Sequence, residues 1–142
     1  MIRCGFVSNS SSCAFILYGR ELAEDEIKNI LNGMINYYKD HPEEDDAEWY
    51  LDRTADDLLE EPYDTAEGLY NVGIEYFDEE QCGNDVWLMG GGEYVEYFDK
   101  MNLNKMKETY EEGLNTLKEK FGVELPGKEP SLYGVRVEWR TS

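Results

Sequence analysis

Histidine is all but missing from this chain: His41 is the single one among 142 residues, and cysteine is sparse at Cys4, Cys13 and Cys82. None of these cysteines stands in CxxC spacing, so the four-ligand sets that zinc centres use are not expected. His41 adjoins Pro42 and Glu43 at the end of an expected helix, where an exposed spacer is the ordinary reading and an imidazole base the exceptional one. Cys82 sits among Asp78, Glu79, Glu80 and Asp85, carboxylates that raise a thiol's pKa and suppress the nucleophilic thiolate. An odd, unpatterned set of cysteines points to a reduced, cytoplasmic setting. No apolar run approaches the roughly 20 residues of a membrane span. Phe6-Val7 ahead of Ser8–Ser12 makes no signal-peptide core.

Positive charge is also scarce, with 13 Lys+Arg against 32 Asp+Glu and a formal net charge of −19. The imbalance is local. Residues 40–99 hold 21 acidic side chains and one basic one, Arg53, a net of −20, while the remainder is close to neutral. Acidity that served solubility alone would be spread over every element. A single field of one sign acts on partners. It repels the phosphates of nucleic acid and anionic membrane surfaces, so neither is an expected direct partner. A basic protein is.

The hydrophobic fraction of 41% and aromatic fraction of 13% still argue for a packed core, and 142 residues suit one domain over 1–142. Residues 13–18 form an apolar run closed by Gly19, the pattern of a buried strand. Ile27, Ile30, Leu31, Met34, Ile35 and Tyr38 then recur at helical spacing behind a first turn of Glu24, Asp25 and Glu26, which suits the helix dipole. In the acidic stretch, Thr54 followed by Asp57 predicts a capped short helix that buries Leu58 and Leu59. Pro62 and Gly68 are expected to bracket a loop. Strands are expected within 69–77 and at 86–89, with Gly90-Gly91-Gly92 turning the chain into a further strand at 93–98. The clearest helix spans 100–121, with its stripe of Met101, Leu103, Met106, Tyr110, Leu114, Leu117 and Phe121. At the end, Tyr133, Val135, Val137 and Trp139 alternate with Gly134, Arg136 and Glu138, a strand with one buried face.

That order predicts an α+β fold: an antiparallel sheet of 4–5 strands, two main helices on one face, and an acidic, partly helical insertion over 40–68. The split βαβ, ferredoxin-like arrangement is one known form of it.

So many carboxylates invite a metal, but an EF-hand loop needs alternating acids and a central glycine. The run Glu43–Asp46 has adjacent acids and no glycine before Gly68, so no metal site or cofactor is assigned. The glycine triplet lacks the GxxxxGK[ST] frame and leads into Glu93, which argues against a phosphate loop. No catalytic motif rises above background.

Residues 5–17, Gly-Phe-Val-Ser-Asn-Ser-Ser-Ser-Cys-Ala-Phe-Ile-Leu, resemble the opening GFVSNSSSSSFI shared by small proteins of large tailed bacteriophages and of some bacteria. Cys13-Ala14 replaces two serines of the usual run. The resemblance implies a phage or phage-derived origin, hence the host cytoplasm, and carries no mechanism. The expected function is therefore that of a non-enzymatic, phage-type acidic protein that binds a basic partner. Its sharpest form is a nucleic-acid mimic that inhibits a host nucleic-acid-binding protein. The residues expected to bind are Asp45, Asp46, Glu48, Asp52, Asp56, Asp57, Glu60 and Glu61, with Trp49 and Tyr50 as aromatic anchors. Two other classes stay open: a structural or accessory virion component, and a small enzyme whose carboxylates hold Mg²⁺.

Overall fold

A four-stranded antiparallel sheet carries the fold in a computed structural model that describes residues 13–95 and 102–137. Its strands are β1 (Cys13–Leu22), β2 (Ile74–Phe77), β3 (Val86–Val95) and β4 (Ser131–Val137), in the order β2-β3-β1-β4. Thus β3 lies between β1 and β2, and β1 lies between β3 and β4. This is the interleaving of the split βαβ arrangement. The helices are α1 (Glu24–Asp40), α2 (Ala47–Tyr50), α3 (Ala55–Leu59), α4 (Pro62–Leu69), α5 (Glu79–Cys82) and α6 (Leu103–Glu119). A 3-10 turn at Tyr70–Val72 links α4 to β2.

Both long helices form for local reasons and are held by packing. The Ala23 amide donates to Glu26 Oε1 at 3.0 Å at the start of α1. Asn102 Oδ1 accepts from the Lys105 amide at 3.1 Å at the start of α6. The six expected core positions of α1 are all buried. They share one cluster with Leu22, Ile74, Trp87 and Met89 from the sheet and with Tyr110 and Leu117 from α6. Each aliphatic side chain buried this way contributes about 1.5–3 kcal/mol. The opposite sheet face is apolar too, with Phe15, Leu17, Phe77, Val86, Leu88 and Tyr133 in a second cluster. The unbroken apolar run in β1 feeds both faces.

Three expectations change. Gly90-Gly91-Gly92 is no turn but the middle of β3, and Gly19 continues β1 rather than closing it. Gly19 and Gly90 lie directly opposite, where a Cβ on either would enter the other strand's backbone. At Gly91 a Cβ would enter the Met106 backbone, so α6 lies hard against the strand there. Residues 62–69 are a helix, α4, because Pro62 occupies the first helical position, where its missing N–H costs nothing. Among the expected strand residues Tyr133 is buried; Phe98, Glu138 and Trp139 lie outside the described residues, as does Met101 of the expected helix.

Candidate functional site

The acidic segment folds into α2, α3 and α4 because every third or fourth residue of it is apolar or small. Ala47, Tyr50, Ala55 and Leu58 are buried, and the carboxylates between them are turned outward. The expected cap is present. Thr54 Oγ1 accepts from the Asp57 amide at 3.2 Å, and Asp57 Oδ2 accepts from the Thr54 amide at 2.9 Å. That backbone hydrogen bond from Thr54 is the main reason the Asp57 carboxyl is held below the usual range. Asp52, between α2 and α3, has a φ of 63°, the left-handed region that Asp and Asn tolerate better than other side chains.

All eight expected carboxylates are exposed. Three have partners within the molecule. Asp56 pairs with Lys28 Nζ at 3.1 Å, Glu61 with Arg53 Nη1 at 2.9 Å, and Asp57 closes the cap. Among the described residues no ion pair engages Asp45, Asp46, Glu48, Asp52 or Glu60.

The two expected aromatic anchors are placed differently. Tyr50 is 2% exposed and stacks on Tyr38 with ring centroids 4.8 Å apart, so it is a core residue. Burial, first of all, pushes its hydroxyl pKa well up. Trp49 is half-buried, one ring face lies under the Arg53 guanidinium at 4.0 Å, and its buried Nε1 has no hydrogen-bond partner among the described residues. Among the described residues the exposed aromatic side chains are Tyr63 and Tyr70, at 54% and 69%.

Two acidic clefts flank the short strand β2, and Tyr76 lines both. One, of about 610 Å³, brings Glu21, Glu24, Glu60 and Asp85 around Leu59, Tyr76 and Trp87. The other, of about 740 Å³, sets Glu67, Glu75 and Glu93 among Tyr63, Tyr70 and Tyr76. An aromatic row runs from one to the other: Tyr63 stands edge-on to Tyr76 at 5.1 Å, and Tyr76 leans on Trp87 at 4.8 Å. Burial, and then a hydrogen bond with Asp85, pushes the Tyr76 hydroxyl up to about 12. The Tyr63 hydroxyl donates to Asp78, and this hydrogen bond pushes it up to about 12 as well. Burial alone raises the Glu75 carboxyl.

Among the described residues no three His, Cys, Asp or Glu side chains converge closely enough to hold a metal ion. Carboxylates spread along aromatic walls suit an ammonium or guanidinium group instead, which a ring face and an acid can bind together. Of the residues expected from the sequence, Glu60 lines such a cleft; Glu21, Glu24, Glu67, Glu75, Asp85 and Glu93 were not foreseen. No pattern in the chain marks them, because only the packing of helices against the sheet brings them together. The chain matches no protein-family model, no curated protein and no solved structure.

Proposed function

We propose that this chain is a non-enzymatic interaction protein whose acidic face binds a basic partner protein, in the manner of a nucleic-acid mimic. One observation carries the reading: Asp45, Asp46, Glu48, Asp52 and Glu60 are exposed, engage no ion pair among the described residues, and lie on or beside two short helices pinned by Tyr50, Ala55 and Leu58. Fixed carboxylates of this kind can replace phosphates in a cationic groove without rearranging, which favours fast, salt-sensitive association. The clefts beside β2 support it further, since each offers acids and rings to a lysine or arginine side chain. The resemblance of residues 5–17 to phage proteins makes a host nucleic-acid-binding protein the favoured target.

Capture from a bacterial lysate tests this. A mimic retains nucleic-acid-binding proteins that added DNA or RNA releases. Binding should weaken steeply between 0.1 M and 1 M salt, where the screening length falls from about 10 Å to about 3 Å. Asp45→Lys with Glu60→Lys should slow association more than it speeds dissociation. Salt-insensitive binding, or indifference to competing nucleic acid, would refute mimicry.

A further inference from the structure

One cavity has the opposite character. It lies between β1, α6 and the link after α6, and has a volume of about 310 Å³. Arg20, Lys107 and Lys128 line it, with Glu111 the one carboxylate among the lining residues. Arg20 is 3% exposed; its Nη1 donates to the Pro126 carbonyl at 2.6 Å and its Nη2 pairs with Glu26. Its Nε is buried with no hydrogen-bond partner among the described residues. The guanidinium therefore ties the link to the sheet and to α1 while keeping an unused donor beside the cavity. Lys107 Nζ stands 5.4 Å from the centre of the Tyr18 ring. Tyr18, Tyr110, Leu114 and Leu125 supply apolar wall.

The charges can be counted. Glu26 offsets Arg20 and Glu111 offsets Lys107, so Lys128 leaves an excess of one positive charge at the cavity. Among the described residues neither Lys107 nor Lys128 has an ion-pair partner. The volume is at the small end of ligand sites, which run from about 300 to 1,000 Å³. A net charge of −19 opposes the approach of any anion, so charge alone would not fill the site, and an apolar body must add to the attraction. We propose that this cavity binds a small organic anion: a single carboxylate on a planar, ring-sized apolar body. The carboxylate meets Lys107 and Lys128 at the mouth, and the ring lies against the tyrosine and leucine wall. This site is independent of the acidic face and stands or falls without it.

Titration of the ¹⁵N-labelled protein with benzoate tests the assignment. Saturable shifts are expected at the Tyr18, Leu114 and Gly127 amides. The double variant Lys107→Ala, Lys128→Ala should bind about tenfold more weakly, two exposed charge pairs at their ordinary strength. Both lysines are exposed, so that variant keeps its fold. Lys118→Ala with Lys120→Ala, on and just after the same helix, should bind as the parent does. Benzyl alcohol, neutral and similar in shape, should not saturate the site. Absence of saturable shifts, equal binding of benzyl alcohol, or equal weakening by both lysine pairs would overturn the proposal.

Discussion

Neutralising the unpaired part of the acidic face should stabilise the protein. The variant Asp45→Asn, Asp46→Asn, Glu48→Gln, Glu60→Gln takes the formal net charge from −19 to −15 and removes no hydrogen bond or ion pair described above. Like charges one helical turn apart are about 6 Å from each other. They repel by about 0.7 kcal/mol in water, and a 10 Å screening length at 0.1 M salt reduces that to about 0.4 kcal/mol. Two or three such pairs give about 1 kcal/mol, a rise of about 3 °C in Tm for a chain of this size. At 1 M salt each pair retains only about 0.1 kcal/mol, so the gain should vanish. Calorimetry of parent and variant at both salt concentrations provides the comparison. The complementary variant Asp56→Asn, Asp57→Asn, Glu61→Gln should be less stable than the parent, because it releases Lys28, the Thr54 cap and Arg53. A fall in Tm for the first set, or a gain that persists at 1 M salt, would refute the view that these four carboxylates face only solvent and partner.

Further tests address the fold and the clefts. Tyr50→Ala should cost on the order of 3–5 kcal/mol in urea unfolding, as for a buried aromatic ring; a near-neutral result would return Tyr50 to the binding surface. Gly91→Ala should destabilise by about 1–3 kcal/mol because the new methyl group meets the Met106 backbone, and an unchanged midpoint would mean that α6 does not press on β3. Glu75 tests the sign of a pKa shift. Burial raises its folded pKa, so its contribution to stability is present below the unfolded value of about 4.3 and is lost as pH rises through the folded value. Glu75→Gln should therefore be more stable than the parent at pH 7, with the gap closing towards pH 4, and a gap constant across that range would argue against the burial.

The sequence was most readable where one local rule decided the outcome. The stripe from Ile27 to Tyr38 and the Thr54–Asp57 cap follow from spacing alone, and both are in place. The glycine triplet was misread because its cause is remote: β1 on one side and α6 above crowd the backbone of β3. Tyr50 was misread for a similar reason. It stands in an acidic stretch between Glu48 and Asp52, but Tyr38, near the end of α1, is what covers it. Outward-facing carboxylates such as Asp45 could be read directly, since charge needs water. The clefts could not, because Glu21, Glu60 and Asp85 meet only once β1, α3 and β3 are assembled.

The position of β4 beside β1 bears on how the chain reaches this state. Gly19 pairs with Ser131 across 112 positions of sequence, so half of the central strand's ladder must wait for a segment made much later. Closing so long a loop costs entropy before any pairing repays it, and folds dominated by distant contacts form slowly. A ribosome-bound chain that ends short of residue 131 carries β1 with that side unpaired, exposed to chaperones and to other nascent chains.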